Sequence, residues 1–251
     1  MRVAAIIPAR YRSTRLPGKP LADIGGRPMV WRVYERAREA RLVDEVWVAT
    51  DDERVRDAVS ALGGNVVITS PEHPSGTDRI AEAAGSVMAD IYVNVQGDEP
   101  MLPPGMIDDV VAPMLADPAL NMATAARETG DPSEIADPSV VKVVMDEHGF
   151  ALYFSRSPIP FHRDIWGSPL HVNGGRCYKH IGLYIYRRDF LLRYARMRPT
   201  ALEQTERLEQ LRALGHGERI KVVITRWDSI GVDTPEDLER VRGILSQTEK
   251  P

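Results

Sequence analysis

The chain has one cysteine, Cys177, among its 251 residues. A single thiol cannot close an internal disulfide or build a cysteine metal cluster, which fits a reducing cytosol. No apolar run reaches the roughly 18 residues that a membrane-spanning helix needs. The opening MRVAAIIPAR has too short an apolar stretch for a signal peptide, and Arg10, Arg12 and Arg15 follow at once. A strong charge bias is also missing. The 32 Lys+Arg against 36 Asp+Glu give a net charge of −4, which argues against nonspecific nucleic-acid binding. Several catalytic signatures are absent as well. There is no Gly-x-Ser-x-Gly elbow and no His-Glu-x-x-His pair, and Cys177 has only His180 and Lys179 near it in sequence. There is no internal repeat and no low-complexity tract.

What is present is ordinary globular composition, 43% hydrophobic and 27% charged. The length suits one α/β domain, or a large domain with a small insert. The apolar run Val3–Ile7, closed by Pro8, reads as a buried strand. Residues 8–28 read as a long loop. Strands then follow at Val46–Ala49, Val66–Ile68 and Ile91–Val95, and helices at Met29–Ala40, Glu53–Leu62, Thr77–Met88 and Pro104–Leu115. Strict alternation predicts a mostly parallel sheet with helices on both faces. After residue 120 the pattern changes. Val140–Met145 and Ala151–Ser155 read as a hairpin, residues 156–178 as a mobile loop, and His180–Tyr186 as a strand. Helices at Glu203–Leu214 and Pro235–Leu245 flank a strand at Ile220–Thr225. The whole of 1–251 reads as a single domain, with about 120–215 as a sub-domain laid against the first sheet.

Five constellations carry candidate chemistry. Pro8 to Pro20 follows the first strand, at the carboxyl end where open α/β sheets bind ligands. Its arginines can grip phosphate oxygens, Lys19 adds a compact charge, and Gly18 lets backbone N–H groups approach. It is not a Walker A loop, because Ser13 and Pro20 stand where that motif needs Gly and Ser/Thr. The bland alternative is a solvated basic loop. Asp98, in Gln96-Gly97-Asp98-Glu99-Pro100, lies just past a buried strand on the same edge. It reads as a Mg²⁺ carboxylate or as a helix cap. Glu99 carries less weight beside Pro100. Thr234-Pro235-Glu236-Asp237 reads as a helix start, which leaves Asp233 outside the cap and open to a metal role. Ser75-Gly76-Thr77-Asp78-Arg79 is a small-residue turn at a helix N-terminus, suited to an anion or a base carbonyl, or simply a capped helix. Arg156, His180, Tyr184, Glu209 and Gln210 in the second half offer the mixed donors and acceptors that a polyhydroxy acid needs. Singly, each fits a structural role as well.

Taken together and in order, these segments resemble the CMP-Kdo synthetase family, the 3-deoxy-manno-octulosonate cytidylyltransferases. The segments are Ile7-Pro8-Ala9-Arg10-Tyr11, Arg15 to Leu21, His73 to Arg79, Val93 to Pro100, Tyr153 to Arg156, His180 to Tyr184, Leu208 to Arg212 and Gly231 to Leu238. The resemblance spans nearly the whole chain. It implies a nucleotide-diphospho-sugar transferase-like (Rossmann-like) α/β fold with a small dimerisation and acceptor sub-domain. It implies CMP transfer from CTP to Kdo, with release of pyrophosphate, for lipopolysaccharide synthesis in the cytoplasm by a homodimer. No nucleic-acid partner and no membrane insertion are expected. By matching position, Ala9, Arg10, Thr14, Arg15, Lys19, Ser75, Thr77, Arg79 and Asp98 would contact CTP. Gln96, Arg156, His180, Tyr184, Glu209 and Gln210 would line the Kdo pocket. Asp98 and Asp233 would bind Mg²⁺, and a second Mg²⁺ would sit on the β- and γ-phosphates with Lys19. Arg10, Arg15, Lys19, Asp98 and Asp233 form the implied catalytic set, serving an in-line attack of the anomeric hydroxyl on the α-phosphorus. The chain departs from the family at Ala201, where proline is usual, and in the variable stretch Trp166–Arg176. Both lie on the sugar side, so a related acid such as 8-amino-Kdo or a nonulosonate is the alternative acceptor.

Overall fold

In a computed structural model, which describes residues 1–12, 16–161, 163 and 177–248, strand β1 (Val3–Pro8) is buried from Val3 to Ile7. Apolar residues on both faces fit its place in the middle of a sheet, with parallel neighbours on both sides. One neighbour is β4 (Glu45–Thr50) and the other β6 (Ile91–Asn94); β5 (Asn65–Ile68) pairs with β4, also parallel. The region 8–28, expected to be all loop, holds a short antiparallel pair, β2 (Asp23–Ile24) and β3 (Arg27–Pro28). Helices α1 (Met29–Arg38), α2 (Glu53–Ser60), α3 (Gly76–Ala83) and α4 (Pro104–Ala116) connect the strands. Asp52 and Ser75 cap α2 and α3, accepting from the backbone N–H groups of Arg54 and Asp78. The expected helix 77–88 is shorter because the chain turns tightly over Gly85 and Ser86.

The second half is woven into the same sheet. Strand β7 (Met122–Thr129) and the short helix α5 (Pro132–Ala136) had no counterpart in the sequence reading. The Ala-rich string MATAARET carries little β propensity, and burial decides its state. Strands β8 (Lys142–Met145) and β9 (Ala151–Ser155) form the expected hairpin. Strand β10 (Cys177–Arg187) lies between β6 and β7 and runs antiparallel to both. Among the described residues the sheet order is β11-β7-β10-β6-β1-β4-β5, where β11 (Ile220–Ile224) pairs with β7, parallel. A bulge between Ile181 and Tyr184 divides β10: its later part pairs with β6, its earlier part with β8. The hairpin therefore forks away from β6 at the bulge.

Helix α6 (Arg188–Tyr194) follows β10 directly. The single helix expected at 203–214 is two, α7 (Ala201–Glu206) and α8 (Leu211–Gly215). They are separated by Arg207 in the left-handed conformation, φ 54°. Thr200 and Glu203 cap α7 reciprocally, and Ala201 takes the first helical position, where proline would also fit. Two large apolar clusters and a smaller third one form the core. The third joins Ile24 and Met29 to Val232, Leu238 and Val241, so the last helix, α9 (Pro235–Thr248), docks beside the first loop.

Candidate active site

β1, β4 and β6 are parallel, so their carboxyl ends open on one edge of the sheet. The segment after β6 lies tight against the end of β1. A Cβ at Gly97 would sit 2.8 Å from the Pro8 carbonyl oxygen, so only glycine fits without a shift. This packing delivers Asp98 to the same edge as the loop after β1. In that loop Gly18 turns at φ 70° and Lys19 opens a single 3-10 turn. The Arg54 guanidinium stacks on Tyr11, 3.4 Å from the ring centroid, and pins the outer side of the loop.

Asp233 arrives from the other end of the chain. Asp237 accepts from the backbone N–H groups of Asp233 and Thr234, at 3.0 and 2.9 Å, and its own N–H donates to the Thr234 hydroxyl. This is the cap that the sequence pattern describes. The Val232 N–H donates to the Asp98 carbonyl oxygen at 2.8 Å, which ties the two acid-bearing loops together. Between the two carboxylates lies the Lys19 ammonium, donating to Asp98 Oδ2 at 2.7 Å and to Asp233 Oδ1 at 2.9 Å. A cavity of about 390 Å³ opens over them, lined also by Arg10, Arg12, Gly76 and Gln96.

Of the residues expected at CTP, Thr14 and Arg15 lie outside the described residues. Ala9 is buried, with its N–H donating to the Ala49 carbonyl at 2.9 Å. Arg10 donates to the His73 carbonyl. Ser75 caps α3, donates to Asp78 Oδ2 at 2.7 Å and lies 3.4 Å from Glu209 Oε1. Thr77 is buried. Arg79 is fully buried, donating to the Thr69 hydroxyl and paired with Asp51 at 3.5 Å. Burial lowers its pKa, and its Nε has no hydrogen-bond partner among the described residues. A buried guanidinium with a spare donor suits an acceptor atom brought by a ligand.

The residues expected at the sugar acid gather around the β10 bulge and the α7–α8 break. Gln96 Nε2 donates to the Gly182 carbonyl at 2.9 Å. The Thr124 hydroxyl is 2.9 Å from the Leu183 carbonyl oxygen and 2.9 Å from His180 Nε2. A hydroxyl has one proton. If Thr124 gives it to the carbonyl, His180 Nε2 is the donor to Thr124 and Nδ1 is left as an acceptor. Burial lowers the His180 pKa to about 3, so the ring is neutral. Burial also raises the pKa of Tyr184 and of Glu209. Gln210 is buried and its Nε2 has no partner among the described residues. Arg156 is committed to the backbone: it donates to the carbonyls of Glu206, Pro138 and Arg207 at 2.8, 2.9 and 3.4 Å. Part of the expected mobile loop 156–178, including all of Trp166–Arg176, lies outside the described residues.

Arg12, Asp51 and Thr124 join the site although the sequence pattern does not single them out, and Glu99, which it weights lightly, stands beside Asp98. Arg12 lines the cavity, and its place in the basic loop was the available signal. Asp51 follows β4 as Asp98 follows β6, so the strand-end rule reaches it too. Thr124 lies in a strand that had not been anticipated. Glu99 is held up to about 7, first by burial and then by the neighbouring Asp98. No group of three or more His, Cys, Asp or Glu suited to a metal occurs among the described residues.

The cytidylyltransferase family matches residues 4–220 of the chain. A 3-deoxy-manno-octulosonate cytidylyltransferase of Geobacter sulfurreducens is 57% identical over 245 residues, covering 96% of this chain and 98% of that protein. One of Geobacter metallireducens is 57% identical over 251 residues, covering 98% and 99%. A solved structure of CMP:2-keto-3-deoxy-manno-octonic acid synthetase complexed with CTP superposes with a TM-score of 0.93 at 47% identity, covering 99% of this chain and 100% of that one. A cytidylyltransferase structure from Leptospira borgpetersenii shares the fold at TM-score 0.65 and 18% identity, covering 98% and 87%.

Proposed function

Since the chain belongs to the cytidylyltransferase family, and within it to the 3-deoxy-manno-octulosonate cytidylyltransferases, we propose that it transfers CMP from CTP to Kdo and releases pyrophosphate. The observation that carries this reading is the joining of Lys19, Asp98 and Asp233 at the mouth of the basic loop. The anomeric hydroxyl of Kdo attacks the α-phosphorus in line and gives up its proton to solvent. The bond to the bridging oxygen breaks, and pyrophosphate leaves with its electron pair. Such a reaction needs positioning and charge stabilisation rather than a covalent enzyme intermediate.

The donor set at the sheet edge fits Mg²⁺. Two carboxylates from separate loops already share one cation, the Lys19 ammonium, and Mg²⁺ typically takes one or two carboxylates and completes its shell with water and phosphate oxygens. Mg²⁺ held by Asp98 and Asp233 would supply Lewis-acid stabilisation of charge at the phosphates. Arg10, Arg12 and Lys19 line the same cavity, where they grip the triphosphate, with Arg15 assigned by resemblance. Ser75, Thr77 and Arg79 face the nucleoside. Neutral His180, with Tyr184, Glu209 and Gln210, binds the sugar hydroxyls, and Arg156 is assigned to its carboxylate by resemblance, a role for which it would have to leave its backbone carbonyls.

We also infer a homodimer built on the 120–215 region. Leu152, Phe161 and Leu202, large apolar side chains left exposed in one chain, fall in that region. No helix among the described residues is long and apolar enough to cross a membrane. The cytoplasmic setting follows from the family resemblance and from the nucleotide substrate. The test of function is direct: incubate the protein with CTP, Mg²⁺ and Kdo and measure pyrophosphate. Parallel runs with 8-amino-Kdo and N-acetylneuraminate fix the acceptor. Pyrophosphate release that needs no sugar, or that follows N-acetylneuraminate and not Kdo, would contradict the proposal.

A further inference from the structure

Lys19 makes contacts beyond those that binding a phosphate calls for. Its ammonium donates to both carboxylates of the proposed metal pair, at 2.7 and 2.9 Å, and its side chain is only 13% exposed. We infer that Lys19 is the internal counter-ion of Asp98 and Asp233, and that it makes metal binding depend on the triphosphate. The inference rests on the function proposed above and assigns this lysine a second role within it.

The electrostatic argument is short. A divalent cation arriving alone must displace an ammonium from two charge-assisted hydrogen bonds and leave that ammonium part-buried without a partner. Arg10 and Arg12 line the same cavity, so the displaced charge would move towards two guanidinium groups. Free metal is therefore bound weakly. A metal-loaded triphosphate changes the balance. Its oxygens give the ammonium a new partner, so Lys19 can leave the carboxylates without losing its charge pairing. The loop is built to allow the exchange at one end only. Gly18, Tyr11 and Arg54 hold the backbone, so the exchange falls to the rotatable four-carbon stem of Lys19. The device selects for phosphate number: a nucleoside monophosphate offers no β- or γ-oxygens to receive Lys19. It also sets the end of the cycle, since loss of pyrophosphate removes the partner of the ammonium and returns it to Asp98 and Asp233.

The experiment titrates Mn²⁺ alone, without nucleotide, and follows the loss of the free-ion EPR signal. The proteins are the wild type, Lys19→Met, and Lys19→Met combined with Asp98→Asn. CTP binding to the first two is measured by calorimetry without metal. The expected result is a pair of opposite changes. Lys19→Met should bind Mn²⁺ about tenfold tighter or more than wild type. It should bind CTP more weakly by a similar factor, and the added Asp98→Asn should abolish the gain for Mn²⁺. Equal or weaker Mn²⁺ binding by Lys19→Met overturns the counter-ion role, and so does a gain that survives Asp98→Asn. Lys19→Gln, which keeps a donor without the charge, replaces the Met variant if that one does not fold, with the same expected direction. Pyrophosphate release by wild type with CTP and Kdo is measured separately, so failure of the counter-ion role is distinguished from failure of the assigned reaction.

Discussion

Asp98 does little for the stability of the fold, which makes it a clean probe of chemistry. Its own carboxylate is about one-third exposed, and in Asp98→Asn the amide oxygen remains an acceptor for the Lys19 ammonium, which Asp233 still pairs. Asp98→Asn should leave the melting transition nearly unchanged while lowering kcat by about 10²-fold or more, as when a charge stabiliser is removed from a preorganised site. Full activity at saturating Mg²⁺ would show that Asp98 holds no metal. His180 gives a different signature. Its pKa is lowered to about 3 in the fold, against an ordinary value near 6.5. The unfolded chain therefore takes up a proton that the folded chain refuses. Stability from the neutral ring is present above about pH 6.5 and is lost as pH falls below it. Compared with wild type, His180→Gln should show a flatter loss of stability between about pH 7 and pH 5, read by urea denaturation at each pH. A parallel slope in both proteins would contradict the burial of a neutral ring. Arg156 is the residue whose sequence reading and geometry pull in different directions. Its contacts to three carbonyls predict that Arg156→Ala costs about 1–3 kcal/mol of folding stability. If the melting point holds and only Kdo affinity falls, the guanidinium serves the substrate.

At the scale of elements, the break between α7 and α8 shapes the proposed acceptor side. Arg207 carries a left-handed backbone that costs a non-glycine residue about 1 kcal/mol. Arg207→Gly should therefore raise stability by roughly 0.5–1 kcal/mol in chemical denaturation, because the Arg156 contact uses only the backbone carbonyl of Arg207. No gain, or a loss, would mean that the Arg207 side chain matters more than the strain. The segment from Gln96 to Asp98 is the complementary case. Gly97→Ala forces a methyl group against the Pro8 carbonyl, so the loop must lift off β1 and carry Asp98 with it. Activity should fall with little change in far-UV circular dichroism. The four helices of the first half, the last helix and the hairpin are readable from periodicity and turn residues. The break at Arg207 was not, because nothing local in Glu206-Arg207-Leu208 announces a left-handed residue. The Ala-rich β7 escaped the reading for a related reason: its state is set by β10 and β11 on its two edges.

At the scale of the whole molecule, β10 joins the two halves. It pairs with β6 near the proposed nucleotide edge and with β7 and β8 on the proposed acceptor side, so one strand sets the spacing between the two candidate subsites. The proposed dimer belongs at this scale too. Leu152→Asp, on an exposed position of β9, should convert a dimer to a folded monomer in light scattering. A wild-type chain that scatters as a monomer at working concentration would end that proposal. The alternation of the first half, the capped start of α9, the placing of the Lys19 loop and of Asp98 beyond their strands, and the family are all legible in the chain. Each of these follows from local spacing or from motifs in order along the chain. Packing brought Asp233 to Asp98, a meeting that the family resemblance implies but no local spacing does, and packing alone put Lys19 between them and spent Arg156 on carbonyls. Those facts depend on α9 docking against β2 and on α7 ending beside β9. Contacts between residues far apart in the chain are fixed by packing, and no local pattern encodes them.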